Sequence, residues 1–183
     1  TVTRLLPQIS IQYFKHSFAE FILGSYDNKL CLCDFRHRKL RPAVDNRIQK
    51  LLNAVFVEKN SAVIETAKVQ LNEYFSGARR SFDLPLITAG TGFQKSVWEA
   101  LQAINYGETQ SYQNLAIKIN NGGAVRAVGT ANGANALAII IPCHRVIASD
   151  GSMGGYGGGL LLKTRLLALE EKVLAYNAIL RKE

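Results

Sequence analysis

The first part of the chain combines apolar positions at strand spacing with apolar positions at helix spacing. Residues 18–25 and 30–35 are rich in β-forming residues, and Asp27-Asn28 between them supplies turn chemistry, which predicts a β-hairpin. Residues 44–57 and 61–75 place their apolar side chains at helical spacing. Together these patterns predict a mixed α/β region.

The second part has a predominantly helical pattern. Thr91 followed by Gln94 forms a capping-box pattern, and the helix that it opens is expected to run to about Ile104. Short helices are predicted over residues 112–119 and 124–132, and the glycine-containing turn between them is typical of a helix-turn-helix. An unrelated helical hairpin fits the same pattern. A closing helix is expected over residues 160–175.

The change of pattern at Gly90 divides the chain into two predicted domains. An α/β domain is expected over residues 1–88, and a helical domain that contains the helix-turn-helix over residues 89–183. By length alone, a chain of 183 residues can build either one core or two small domains.

Composition predicts a cytoplasmic protein without a membrane segment. The chain has no apolar run near the roughly 20 residues that span a bilayer, and no signal peptide is recognisable at Thr1. Its three cysteines argue against a disulfide framework and for a reducing compartment.

Charge predicts an anionic partner. The formal net charge is +8, and the segment from Thr109 to Ser149 contains no Asp or Glu although Lys118, Arg126 and Arg145 lie inside it. A surface that binds phosphates requires such a distribution. The alternative is that a segment of small residues is poor in acids for no functional reason.

The hexapeptide Ile-Pro-Cys-His-Arg-Val, residues 141–146, carries the clearest chemistry. An apolar run that reads as a strand or a buried extended segment leads into it, and Pro142 fixes the backbone before Cys143. Cationic and imidazole neighbours lower a thiol pKa, so Cys143 is a candidate nucleophile, although a buried structural thiol is the alternative. Side chains of neighbouring residues in an extended segment point to opposite faces, which favours a water between Cys143 and His144 over direct contact.

Residues 142–146, Pro-Cys-His-Arg-Val, resemble the active-site signature of the O6-alkylguanine-DNA alkyltransferases, also called methylated-DNA–protein-cysteine methyltransferases. Further segments resemble this family in the same order along the chain: Gly90–Gln94, Val97-Trp98, Gly107–Thr109, Ser111-Tyr112, Arg126–Gly129, Asn135, Gly155–Gly158 and Leu167–Glu170. The ordered set covers about residues 90–170.

The resemblance implies a fold and a reaction. The fold would be a ribonuclease-H-like α/β domain followed by a helical domain whose helix-turn-helix docks in the minor groove of double-stranded DNA. The Cys143 sulfur would take an alkyl group irreversibly from O6 of guanine, once per molecule, with O4-alkylthymine left open as a second substrate. The protein would act as a monomer without a cofactor.

The resemblance also implies roles for individual residues. Cys143 would be the nucleophile, with His144 as its base through a water, Glu170 orienting His144, and Tyr112 donating to the guanine ring. The other implied residues contact DNA. Arg126 would fill the gap left by the flipped nucleotide, Ala127 would allow its helix to approach the groove, Asn135 would be a hinge, and Tyr156 and Gly157 would line the base pocket. Arg145 is expected in a buried or interdomain ion pair.

No metal site is predicted, and two other functions compete with repair. Cys31 and Cys33 are expected to share a face of a strand, and two sulfurs without nearby ligands make a poor zinc site. The glycine cluster at residues 154–159 lacks the strand and helix of a dinucleotide-binding loop. A protein that binds alkylated DNA without repairing it is one alternative, and a cysteine hydrolase that uses Cys143 and His144 is another.

Overall fold

The computed structural model describes residues 5–182 and has a mixed α/β fold, as predicted. A four-stranded sheet has the order β3-β2-β1-β4. Strand β1 pairs antiparallel with β2 and parallel with β4, and β2 pairs antiparallel with β3. The four strands are β1 (Gln8–Lys15), β2 (Glu20–Tyr26), β3 (Lys29–Phe35) and β4 (Val55–Glu58).

The predicted hairpin is confirmed as β2 and β3. Asp27 and Asn28 both adopt left-handed backbone angles, with φ of 51° and 57°, as a tight two-residue hairpin turn requires. A bulge in the pair leaves Cys31 without a partner residue on β2. Because of the extra residue, Cys31 and Cys33 pack into different hydrophobic clusters, and the expectation that they share a face is wrong.

Six α-helices lie within residues 5–182, and most of their predicted positions are confirmed. One prediction is wrong at its end, because the helix expected over residues 44–57 stops at Leu52. Asn53 adopts a left-handed conformation with φ of 47°, and the chain then enters β4 beside β1. The helices are α1 (Arg41–Leu52), α2 (Ala62–Phe75), α3 (Gly92–Gln102), α4 (Tyr112–Lys118), α5 (Val125–Gly133) and α6 (Leu160–Leu180).

Local sequence signals set the starts of three helices. The Ser61 and Ser111 hydroxyls accept hydrogen bonds from backbone N–H groups at the starts of α2 and α4. Thr91 and Gln94 form the complete capping box at the start of α3. Each cap satisfies backbone donors that have no partner within the helix.

The apolar run that leads into the Cys143 segment is buried but does not form a regular strand. Residue 136 accepts a hydrogen bond from the Cys33 N–H at 2.8 Å, and Ala138 N–H donates to the Cys33 carbonyl at 2.7 Å, so the run begins beside β3. Ile139 then turns the chain with φ of 71°. Residues of both predicted domains meet in one hydrophobic cluster, which includes Leu23, Trp98 and Leu166.

Between residues 5 and 182, none of the helices has the length and apolar character needed to cross a membrane.

Candidate active site

A pocket of about 670 Å³ lies between the two halves of the chain, and Cys143 lines it. Three segments form most of its lining: residues 34–40 at the end of β3 and beyond it, helix α5 with Tyr112, and the glycine-rich segment 155–157. Cys143 is only 6% exposed, so its sulfur is reached from this pocket. Of the nine site residues predicted, six line the pocket: Cys143, Tyr112, Arg126, Asn135, Tyr156 and Gly157.

Cys143 begins a short 3₁₀ turn, Cys143–Arg145, rather than lying in an extended segment. The expectation of an extended backbone at this point is therefore wrong, and the argument about opposite faces does not apply. Asn135 fixes the approach to the turn, because its side chain donates to the Ile141 carbonyl at 2.9 Å and accepts from Leu137 N–H at 3.0 Å. Asn132 of α5 donates to the Cys143 carbonyl at 3.4 Å.

His144 and Glu170 form the expected contact below the pocket. His144 Nε2 lies 2.6 Å from Glu170 Oε2, and both residues are 0% exposed. An ionised carboxylate can only accept hydrogen bonds, so the imidazole proton is on Nε2 and forms the hydrogen bond to Glu170. His144 Nδ1 is then the free lone pair, and this buried atom has no hydrogen-bond partner within residues 5–182. The imidazole is thus fixed in the tautomer that accepts a proton at Nδ1.

The Glu170 carboxylate accepts four hydrogen bonds from different parts of the fold. Oε2 accepts hydrogen bonds from His144 Nε2 and from the Tyr74 hydroxyl, the latter at 2.6 Å. Oε1 receives Arg145 Nε at 2.8 Å and the Gly107 backbone N–H at 2.9 Å. The buried ion pair predicted for Arg145 is confirmed, and its partner is the same carboxylate that orients the candidate base.

Burial dominates the acid–base properties of the site. It raises the pKa of Cys143 to about 11, although a hydrogen bond with Asn135 acts in the opposite direction, so the resting group is a neutral thiol. Burial also lowers the pKa of His144, which keeps its imidazole neutral. For Glu170, burial alone would raise the pKa, but hydrogen bonds from His144 and Arg145 outweigh it and lower the pKa to about 2. At rest the site therefore holds a neutral thiol at Cys143 and a neutral imidazole at the next residue.

Two glycines pack against Tyr112, which lines the same pocket as Cys143. A Cβ atom at Gly154 would lie 3.0 Å from the Tyr112 hydroxyl, and one at Gly129 of α5 would lie 3.9 Å from its ring. Gly154 has φ of 67°, a conformation that disfavours other residues. Burial raises the pKa of Tyr112, so its hydroxyl remains protonated and able to donate.

Arg126 and Ala127 lie on the exposed side of α5. Arg126 lines the mouth of the pocket, whereas Ala127 does not contact it. Small residues on this helix, including Gly129, leave the Arg126 side chain projecting. The structure therefore combines an exposed helix with one long cation and a concave site beside it.

Sequence reasoning missed several residues of the site. Lys163 of α6 is 0% exposed and donates from Nζ to the carbonyls of Val146, Met153 and Gly155, which fixes the segment beside the pocket. Lys163, Leu166 and Glu170 recur at helical spacing on the buried side of α6, and a cation in an apolar stripe is a recognisable signal. Asp34 and Arg38 also line the pocket, and no local pattern in the sequence indicates them.

A metal centre has no candidate ligands in the described part of the chain, because no three His, Cys, Asp or Glu side chains cluster there.

Comparison with known proteins identifies the family. Residues 92–172 match the family model described as 6-O-methylguanine DNA methyltransferase, DNA binding domain. A methylated-DNA–protein-cysteine methyltransferase of Methanosarcina barkeri is 54% identical over 116 residues, which are 63% of this chain and 73% of the relative.

Solved structures extend the similarity to most of the chain. The crystal structure of Mycobacterium tuberculosis O6-methylguanine methyltransferase has a TM-score of 0.75 and 36% identity, covering 90% of this chain and 93% of that one. The Mycobacterium tuberculosis OGT in complex with DNA has a TM-score of 0.76 and 36% identity, covering 91% and 94%. The chain therefore belongs to the methylated-DNA–protein-cysteine methyltransferase family.

Proposed function

We propose that this protein repairs DNA by transferring an alkyl group from O6 of guanine to Cys143, once per molecule. The relatives are named for transfer from methylated DNA to a protein cysteine, and one similar structure is a complex with DNA. The observation that carries the residue assignment is the neutral His144, oriented by Glu170, next to a thiol that opens only into a pocket.

The chemistry follows from these groups. The Cys143 sulfur forms a bond to the alkyl carbon while the bond from that carbon to guanine O6 breaks, and the electron pair of that bond remains with the purine. His144 Nδ1 takes the thiol proton through a bridging water, and Glu170 stabilises the imidazolium that results. Tyr112 donates a hydrogen bond to the departing purine, and the proton released by the thiol balances the one that guanine regains.

The pocket supports a flipped nucleotide as the bound form. A sulfur that is 6% exposed cannot reach a base inside a duplex, so the base must leave the stack. Arg126, at the mouth of the pocket, fills the gap in the duplex. Tyr156 and Gly157 line the side of the pocket against the base, and Asn135 links α5 to the cysteine turn.

Helices α4 and α5 act in this proposal as a helix-turn-helix that docks in the minor groove. The turn between them and the exposed face of α5 support this assignment. The absence of Asp and Glu from residues 109–149 favours contact with phosphates. Residues 1–88 would form the ribonuclease-H-like domain and residues 89–183 the DNA-binding and active-site domain of a monomer.

Transfer of a labelled methyl group tests the proposal. The protein is incubated with an excess of duplex DNA that carries O6-[methyl-³H]guanine, and protein-bound label is counted. The expected result is about one methyl group per protein molecule, with none on Cys143→Ala. Label that survives Cys143→Ala would contradict the assignment of the nucleophile.

The same experiment decides between the competing functions. A damage-binding protein would shift the methylated duplex in a gel without acquiring label. A cysteine hydrolase would turn over ester or amide substrates repeatedly and leave the methylated duplex unchanged. The neutral base next to Cys143 argues against a protein that only binds damaged DNA. The exposed helix α5 beside the pocket argues against a cysteine hydrolase.

A further inference from the structure

One side of the pocket comes from the predicted α/β half of the chain, to which the sequence assigned no site residue. Residues 34–40, which comprise the end of β3 and the turn that follows it, line the pocket together with α5 and the glycine-rich segment. Within this stretch Asp34 is 0% exposed and the Arg38 side chain is 6% exposed. Burying two charges costs free energy of desolvation, so an ion pair this well buried in the lining of the pocket suggests a functional role.

The Arg38 guanidinium joins three segments of the structure. Nη1 donates to both carboxylate oxygens of Asp34 at 3.2 Å, and this ion pair orients the Arg38 side chain. Nη2 donates to the carbonyl of Gly133, the last residue of α5, at 2.5 Å. A planar guanidinium can donate in these directions at once, whereas an ammonium group cannot match the geometry.

The glycine-rich segment packs directly against the same guanidinium. A Cβ atom at Gly157 would lie 2.9 Å from Arg38 Cζ, closer than real contacts allow. Gly157 is therefore required for close approach rather than for an unusual backbone angle. The end of α5 and the Gly157 segment, which both line the pocket, are thus both in direct contact with Arg38.

We propose that Arg38 is a positioning residue for alkyl transfer, holding the two sides of the base pocket at the separation that brings the alkyl carbon to the Cys143 sulfur. This inference rests on the proposed function. It makes the α/β half of the chain part of the reactive site rather than only a support for it.

Arg41 provides a matched control. It also pairs with Asp34, at 2.7 Å, and with Asp45 on its other side, but it does not line the pocket. Arg41→Met and Arg38→Met each remove one partner of the buried Asp34 carboxylate. Both variants should lose stability, so a difference between their rates isolates the contribution of Arg38 to the pocket.

The experiment is single-turnover methyl transfer at increasing concentrations of methylated duplex, with the labelled amplitude and the limiting rate fitted separately. A variant that is merely less stable lowers the amplitude, whereas a displaced pocket lowers the limiting rate of the active molecules. Arg38→Met is expected to reduce the limiting rate by about tenfold to hundredfold, the loss that small misplacements of reacting groups cause. Arg41→Met should change it by no more than about twofold.

Two further variants keep the proposal testable if Arg38→Met does not fold. Arg38→Lys should recover stability through the ion pair with Asp34 but not the rate. Gly157→Ala leaves the ion pair intact and displaces the guanidinium from the other side, so it should also slow transfer. Iodoacetamide is a small reagent that enters the pocket without having to be positioned by it, so its reaction with Cys143 should be slowed far less than methyl transfer in all these variants.

Three results would overturn the inference: equal limiting rates for Arg38→Met and Arg41→Met, an undisturbed rate in Gly157→Ala, or an equal loss in the iodoacetamide reaction. The last would mean that Arg38 acts on the thiol and not on the position of the base. If the wild-type protein itself acquires no methyl group, the proposed function fails instead, so the two failures are distinguishable.

Discussion

Replacing Glu170 with glutamine should both destabilise the fold and silence the candidate base. The carboxylate accepts four hydrogen bonds, from Tyr74, His144, Arg145 and the Gly107 N–H. The glutamine amide keeps one acceptor oxygen, but its NH₂ group replaces the other oxygen and faces groups that are themselves hydrogen-bond donors. Arg145, itself 6% exposed, would lose its counterion.

Two related arguments, both of which include the pair with Arg145, give a similar magnitude for this loss. Breaking a buried ion pair by removing one partner costs about 3–5 kcal/mol. The lowering of the Glu170 pKa from 4.5 to about 2 corresponds to a stabilisation on the order of 3 kcal/mol at neutral pH. Because the pKa is lower in the folded state, this contribution is fully present above pH 4.5 and disappears as the pH falls toward 2.

Urea unfolding of wild type and Glu170→Gln measures the difference, with Glu171→Gln as the matched control. Glu171 is the exposed neighbour on the same helix, and its variant should differ from wild type by less than about 0.5 kcal/mol. The Glu170→Gln difference should be largest at pH 7 and shrink below pH 4.5. A difference at pH 7 of less than about 1 kcal/mol would refute the reasoning about the buried pair.

The same variant should also react slowly. A glutamine amide that faces His144 Nε2 donates to it, which moves the imidazole proton to Nδ1 and removes the lone pair that accepts the thiol proton. A limiting rate of methyl transfer equal to that of wild type would show that the His144 tautomer is not important.

Three further outcomes are expected. Arg126→Ala should weaken repair of duplex DNA much more than reaction with free O6-alkylguanine base, measured with both substrates side by side; equal losses would remove its role in the duplex. Gly154→Ala should lower the limiting transfer rate, because it strains a backbone at φ of 67° and forces a methyl group against Tyr112, and an unchanged rate would contradict that packing. Brief iodoacetamide treatment of the native protein, followed by peptide mass mapping, should label Cys143 before Cys31 and Cys33, which are buried and do not line this pocket; simultaneous labelling would argue against access through the pocket.

Features encoded over a few residues were predicted well from the sequence. The β2–β3 turn, the capping box at Thr91 and the Cys143-His144 pair all depend on neighbouring residues, so their patterns are visible locally. Glu170 is distant from this pair in the sequence, and only the resemblance to the family connected it with His144.

Features that depend on long-range pairing were not predicted. Strand β1 was missed, and β4 was assigned to a helix, because its apolar residues fit either period and only the parallel partner decides between them. Arg38 lies among other basic residues of similar appearance, and nothing local distinguishes it. Its significance comes from Gly133 and Gly157, both more than ninety positions further along the chain.

The near-complete enclosure of the Cys143 sulfur bears on how such a protein survives until it is needed. A nucleophile that works a single time has no second chance if an oxidant or a dissolved electrophile reaches it first. With the sulfur shielded inside a recess and resting as a thiol, stray reagents meet a poor target, while a correctly presented purine brings its leaving group to the one open approach. The recess therefore preserves each molecule for damaged DNA.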